Sequence, residues 1–272
     1  MLGPSERILN LSNSQTLAMA QKSRDLKAQG IDIINLSIGE PDFNTPDYIK
    51  EAAKVAIDNN FSHYSPVPGY DDLRDAIVAK LQRENNLEYS RNHIVVSNGA
   101  KQSLTNALLT SINKGDEVII PAPYWVSYIE LVKLAEGIPI IVDTSIDNDF
   151  KLTEQELRNA ISPRTKAFLF NSPSNPSGSI YSKSELEVLT KVFEEYEDIL
   201  IISDEIYEHI NFTGKHESIA QFDSIKDRVA IINGVSKAYA MTGWRIGYMA
   251  APEWLAKACI KLQGQTTSGP GS

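Results

Sequence analysis

Asn233-Gly-Val-Ser-Lys-Ala-Tyr-Ala-Met-Thr-Gly-Trp-Arg-Ile-Gly-Tyr248 follows directly on the apolar run Val229 to Ile232. It sets one lysine, one arginine and the small residues Gly234, Ser236, Gly243 and Gly247 at fixed intervals. A chain that leaves a buried strand through a tight, small-residue turn presents its next side chains at the strand's carboxyl end, where open α/β sheets bind ligands. Lys237 and Arg245 are therefore expected to face a pocket.

A lysine so placed can form a Schiff base with an aldehyde, and an arginine beyond it can hold a phosphate through paired, charge-assisted hydrogen bonds. Together they point to pyridoxal 5'-phosphate. Ser236-Lys237 alone would carry no such meaning, since most lysines are solvated surface residues.

Outward from this stretch, apolar runs and helical patterns alternate. Ile94 to Ser97, Glu117 to Pro121, Pro139 to Val142, Thr165 to Phe170, Leu200 to Ser203 and Val229 to Ile232 read as short buried strands. Helical stretches lie between most of them, two opened by capping boxes, Thr153 with Glu156 and Ser182 with Glu185. This alternation predicts a largely parallel sheet covered by helices. Nearer the start, Ser14 to Gln29 places Leu17, Ala20 and Arg24 at helical intervals, with Gly30 as the cap. Ile31 to Leu36 leads into the turn Ser37-Ile-Gly-Glu-Pro-Asp-Phe-Asn44. Thr45-Pro46 should cap and open a helix to about Asp58, and Asp71 or Asp72 should cap the next.

Reactive residue types cluster just after the strands. Gly99 opens a helix whose backbone amides suit a phosphate, although the P-loop frame is absent. Trp125 follows the second strand, and either stacks on a planar ring or is core. Asn175 sits in a turn-rich loop and can donate its amide to a phenolic oxygen. Asp204 ends an apolar strand, where a carboxylate is costly to bury without a partner such as a protonated ring nitrogen. Tyr207, three residues on, can share the ring's hydroxyl with Asn175. The competing readings are a helix cap for Asp204 and ordinary packing for Tyr207.

Composition limits the alternatives. In 272 residues, 26 Lys and Arg against 35 Asp and Glu leave a net charge of −9, which argues against a general nucleic-acid or anionic-membrane surface and for small-molecule partners. The one cysteine, Cys259, excludes an intrachain disulfide and is read as a packed, inert thiol. His63, His93, His209 and His216 show no metal-ligand spacing, so no metal is expected. No apolar run is long enough to span a bilayer and the N-terminus does not read as a secretory signal, which makes a cytoplasmic location the expectation.

From Gly39 onward the chain resembles the class I aminotransferases, most closely the bacterial aspartate aminotransferase branch of the fold-type I pyridoxal phosphate enzymes. The resemblance rests on Ser37-Ile-Gly-Glu-Pro-Asp-Phe43, Tyr124-Trp-Val-Ser-Tyr128, Asn171-Ser-Pro-Ser-Asn-Pro176, Ser203-Asp-Glu-Ile-Tyr207 and the lysine stretch. It implies a three-layer α/β sandwich, the fold-type I large domain, over residues 46–272, with residues 1–45 an N-terminal arm and part of a small domain. It further implies Lys237 as the lysine holding the cofactor in an internal aldimine, Asp204 on the pyridine nitrogen, and Asn175 and Tyr207 on the ring oxygen. Trp125 would stack on the ring, and Gly99, Ala100, Ser236 and Arg245 would hold the phosphate. Tyr64 resembles a tyrosine that reaches the phosphate of the other subunit, which implies a homodimer with shared sites. Gly39 matches a contact to the substrate carboxylate. Lys101, near cofactor and substrate alike, matches a lysine that meets a distal carboxylate, favouring aspartate, glutamate or prephenate; a surface-helix lysine is the competing reading.

The implied activity is ping-pong transfer of an amino group from an L-amino acid to a 2-oxo acid. Two rivals stand beside it: a carbon–sulfur lyase or other α-carbon eliminase using the same lysine and aspartate, and a cofactor-binding chain without turnover. The second gains weight because the resemblance ends at Gln265 to Ser272, before the family's remaining segments and the arginine that clamps the substrate α-carboxylate. The chain is thus expected to lack its C-terminal part, with the final Gly-Ser native or appended.

Overall fold

A computed structural model describes residues 3–13, 15–34 and 39–272, excluding the side chains of residues 15–17. The expectations at Ser14, Leu17, Asn35-Leu36 and Ser37-Ile38 lie outside what it describes.

Among the described residues, seven strands form one mixed sheet: β1 (Ile94–Ser97), β2 (Glu117–Ala122), β3 (Ile138–Asp143), β4 (Thr165–Asn171), β5 (Leu200–Asp204), β6 (Val229–Gly234) and β7 (Gly247–Ala250). Their order is β1-β7-β6-β5-β4-β2-β3. The pairs from β3 through β6 are parallel, whereas β7 runs antiparallel between β6 and β1. The six expected strands are all present, within a residue or two at each end. The seventh is hidden inside the lysine stretch, because Gly247-Tyr-Met-Ala250 is short and follows a glycine-rich turn instead of a helix. Its insertion leaves β1 parallel to β6, so the carboxyl ends of β1, β2, β4, β5 and β6 share one edge with the start of β7.

Successive side chains of each strand alternate between two cores. Val96, Ile119, Phe168, Phe170, Ile201 and Ile231 face one core, and Val95, Val118, Ile120, Leu169, Ile202 and Ile232 the other. The first core is closed by α4 (Asp71–Asn85), α7 (Glu154–Ala160) and α8 (Lys183–Glu194), the second by α5 (Ala100–Ser111), α6 (Ser127–Leu134) and α9 (Glu253–Thr266). Strands covered on both faces read as near-continuous apolar runs, which is why they were legible. Both capping boxes form, at Thr153 and Ser182.

The N-terminal region adds α1 (Glu6–Leu9), α2 (Gln15–Ala28) and α3 (Asp47–Asp58). Gly30 adopts φ 79° beyond α2, as a left-handed cap requires. Two caps differ from expectation. Pro46, not Thr45, occupies the position before α3, while the Thr45 hydroxyl donates to the carbonyl of Ala240, 2.7 Å away in the lysine stretch. Tyr70 precedes α4, and Asp71 instead accepts from Arg74 and Arg91. Tertiary partners outcompeted the local helix ends for both side chains. Cys259 is fully buried in α9, and burial raises its thiol to about 11. No helix among the described residues is long and apolar enough to cross a membrane.

Candidate active site

At the shared strand edge lies a cleft of about 840 Å³. Its lining brings together Gly39, Ala100, Lys101, Trp125, Asn175, Asp204, Tyr207, Ser236, Lys237 and Arg245, drawn from seven separated segments. Of the residues singled out in the sequence, Gly99 and Tyr64 are not in its lining. Gly99 stands directly behind it as the N-cap of α5, with φ 90°. Tyr64 lies on the surface, 99 % exposed, away from this chain's own cleft.

The end that holds Arg245 is built by close backbone approach. A Cβ on Gly247 would sit 2.1 Å from the amide nitrogen of Ala100 and 2.4 Å from the carbonyl carbon of Gly99. A Cβ on Gly99 would overlap the Arg245 guanidinium. Gly234 is also close-packed, though less so, its absent Cβ lying 2.9 Å from Gly247 Cα. The glycines therefore let β6, β7 and the start of α5 converge. Arg245, left-handed at φ 59°, donates to the carbonyls of Thr242 at 2.8 Å and Asn98 at 3.4 Å, which fixes the guanidinium beside the first turn of α5. A helix N-terminus and a guanidinium together favour an anion.

At the centre, Lys237 Nζ donates to the carbonyl of Gly39 and lies 5.9 Å from the Tyr207 ring centroid. Burial lowers the Lys237 pKa, opposed by the charge of Glu40 and assisted by that of Arg245. Asn175 Nδ2 donates to Tyr207 Oη at 3.4 Å, so the predicted pair does meet. Burial likewise raises the Tyr207 pKa.

Asp204 is neither a helix cap nor solvated. Only 4 % exposed, its side chain accepts from Tyr128 Oη at 2.7 Å and from the backbone N–H of Ile206 at 3.3 Å. Desolvation raises its pKa to about 6 against those donors. The Asn171 side chain and the Ser172 amide both donate to its carbonyl oxygen, at 2.7 and 3.2 Å. Lys101, lowered by burial and then by Arg245, places its ammonium 4.7 Å from the Trp125 ring centroid. It lines the cleft while remaining solvent-exposed on α5.

Sequence reading missed Tyr128, Asn171 and Thr242 as parts of this site. Tyr128 had a signal, since it stands three residues from Trp125, whose carbonyl accepts from the Tyr128 amide at 2.9 Å as α6 begins. Asn171 had none for its link to Asp204, because its Nδ2 donates across to β5 while its Oδ1 accepts from the Asn175 amide of its own loop at 2.6 Å. Thr242 donates to Glu40 at 2.9 Å, a third tie from the lysine stretch to the N-terminal region. On the other side of the sheet, the ligand atoms of Glu205, Glu208 and His216 lie within 4.8 Å of one another, as do those of Glu84, Glu208 and His209. The first group comes from one short segment, whereas Glu84 reaches the second from a distant one. Lys80 pairs with Glu208 and so already supplies a cation to both.

A mostly parallel, helix-covered sheet carrying such a cleft at its carboxyl edge is the large-domain architecture of the fold-type I transferases, and its solved neighbours are of that type. The aspartate aminotransferase of Rhizobium meliloti matches with a TM-score of 0.96 at 42 % identity, over 100 % of this chain and 68 % of that one. That of Thermus thermophilus, solved with maleate, matches with a TM-score of 0.96 at 40 % identity, over 100 % and 70 %. The pattern of "Aminotransferase class I and II" covers residues 31–272. The chain belongs to this family, whose members are transferases that depend on pyridoxal phosphate. It is 50 % identical over 270 residues to the aspartate/prephenate aminotransferase of Nitrosomonas europaea, covering 98 % of this chain and 68 % of the relative. It is 48 % identical to that of Cereibacter sphaeroides, over 98 % and 68 %. The chain spans about two thirds of the length of the relatives it matches.

Proposed function

We propose that this chain is the cofactor-binding part of an aminotransferase that moves an amino group from an acidic L-amino acid to a 2-oxo acid, with residues 46–272 as the large domain and residues 1–45 as an arm and part of a small domain. The observation that carries this reading is one lysine, lowered by burial, in the same cleft as a buried carboxylate and an anion-favouring helix end.

The residues present fit pyridoxal 5'-phosphate. The Gly99, Ala100, Ser236 and Arg245 end suits a phosphate, because a side chain on either Gly99 or Gly247 would fill the approach. Asp204 offers a carboxylate whose burial is compensated by a protonated ring nitrogen. Asn175 and Tyr207 offer a paired amide and hydroxyl to a ring oxygen, and the Trp125 face suits a ring. When bound, the cofactor supplies an electron sink for charge developing at the substrate Cα.

The chain's own residues supply the rest. Lys237, whose neutral form burial favours, anchors the aldehyde and then carries a proton to and from Cα. Asp204 holds an opposite charge at the ring nitrogen. Gly39 and Asn175 position the substrate near Lys237. Lys101, held over Trp125, meets a distal carboxylate; the maleate in the Thermus structure is a dicarboxylate, which supports an acidic substrate. Tyr64, fully exposed here, suits a contact to a second copy in a homodimer.

Borohydride reduction of the protein mixed with pyridoxal phosphate, followed by peptide mapping, tests the anchor. Label is expected at Lys237 and absent from Lys237→Ala; a fully labelled, unimpaired Lys237→Ala protein would sink the assignment. An absorbance titration with aspartate, glutamate and cystathionine then separates transamination from elimination and from binding without turnover.

A further inference from the structure

We propose that Tyr128 is the positioning residue of Asp204, its buried hydroxyl donating to Oδ2 so that the carboxylate keeps the orientation and the charge needed at the floor of the cleft. The inference rests on the reading of Asp204 as the partner of a cationic ring nitrogen.

Tyr128 is among the largest fully buried side chains, 1 % exposed on α6 among apolar neighbours. Packing alone would be served as well by phenylalanine, so the hydroxyl needs its own explanation. Its hydrogen bond runs to Asp204 Oδ2, at 2.7 Å. Burial raises the Tyr128 pKa far above its ordinary value, and the charge of Asp204 raises it further, so the hydroxyl keeps its proton and remains a donor.

The other donor to the Asp204 carboxylate, the backbone N–H of Ile206, is longer at 3.3 Å. Of the two contacts that favour the ionised carboxylate, Tyr128 is therefore the stronger. Among the described residues, Glu205 and Tyr207 from its own segment are the other titratable groups coupled to Asp204, and Lys237 from the turn after β6 lines the same cleft. Glu205 opposes ionisation. The Asp204 backbone is meanwhile held by Asn171 and Ser172 at the end of β4. Trp125 packs edge-on against the Tyr128 ring, centroids 5.5 Å apart at 89°. The loop before α6 and the first turn of α6 thus present an aromatic wall to the cleft and a proton to the carboxylate beneath it.

The test is the carboxyl titration of Asp204, followed by carbon NMR on the cofactor-free full chain labelled at aspartate, in wild type, Tyr128→Phe and Tyr181→Phe. Tyr181 is a suitable control because its buried hydroxyl accepts from the Leu152 amide at 2.7 Å, remote from Asp204. Tyr128→Phe is expected to raise the Asp204 midpoint by about one pH unit, the size of a charge-assisted hydrogen bond, with Tyr181→Phe unmoved. A wild-type midpoint in folded Tyr128→Phe, or equal shifts in both variants, overturns the proposal. Should Tyr128→Phe fail to fold, a ring-fluorinated tyrosine introduced at Tyr128, a stronger donor of similar shape, must lower the midpoint; an unchanged or raised midpoint refutes it. Because the titration needs no cofactor, a failure of borohydride labelling at Lys237 would count against the proposed function while leaving this result to stand or fall separately.

Discussion

Asp204→Asn is expected to make the cofactor-free protein more stable while removing the group proposed to bind the ring nitrogen. Asp204 is buried at the end of β5 and holds a pKa of about 6 against 3.8 for an ordinary aspartate. A carboxylate whose folded pKa is raised contributes stability below its unfolded pKa and loses it as pH rises through the folded one. Keeping Asp204 ionised at pH 7 therefore costs about 3 kcal/mol, at 1.36 kcal/mol per pH unit. Asparagine removes that cost and retains an oxygen for the Tyr128 hydroxyl, but it turns its NH2 toward the backbone N–H of Ile206, a buried donor facing a donor, which costs about 1 kcal/mol. The net gain at pH 7 is about 2 kcal/mol, a rise in Tm of roughly 5 °C for a chain of this size.

The same linkage sets the pH dependence. The cost falls below about 2 kcal/mol at pH 5 and below about 1 kcal/mol at pH 4, so the advantage of Asp204→Asn shrinks on acidification and vanishes near pH 4. Urea unfolding of both proteins, followed by circular dichroism at pH 7, 6, 5 and 4, reads the difference directly. A less stable Asp204→Asn protein at pH 7, or a difference that does not change with pH, would refute the reasoning.

Gly247→Ala drives a Cβ into the backbone of Gly99 and Ala100, where no side chain can swing aside. A loss of about 3 kcal/mol is expected, with weakened pyridoxal phosphate retention; a wild-type urea midpoint would show that β7 and α5 can separate freely. Cys259, buried and raised to about 11, should resist a thiol reagent at pH 8 in native buffer and react fully in denaturant, and rapid native labelling would contradict its packing. Thr153→Ala removes one half of a capping box on α7 and should cost about 1 kcal/mol, read as a lower urea midpoint with cofactor binding unchanged.

Local chemistry determined much of this protein from its sequence. Apolar runs buried on both faces marked six strands, capping boxes marked two helix starts, and the residue following each strand was predictable as a cleft residue because parallel strands place their carboxyl ends together. Lys237, Asp204, Asn175, Tyr207 and Arg245 were all found in that way. Whatever depended on a partner remote in sequence was decided only by the tertiary structure. β7 became a strand because its neighbours β6 and β1 flank it. Thr45 bonds to Ala240 and Asp71 to Arg91, partners outside their own helices. Tyr128 and Asn171 gained their meaning only on meeting Asp204. The lysine stretch that opens the chain's reading is itself such a case: the spacing of Lys237 and Arg245 pointed to a pocket, but the close approach of Gly247 to the start of α5 fixed where the guanidinium stands. Contacts such as these, between residues 20 to 195 positions apart, depend on how the sheet is ordered, which no local pattern encodes.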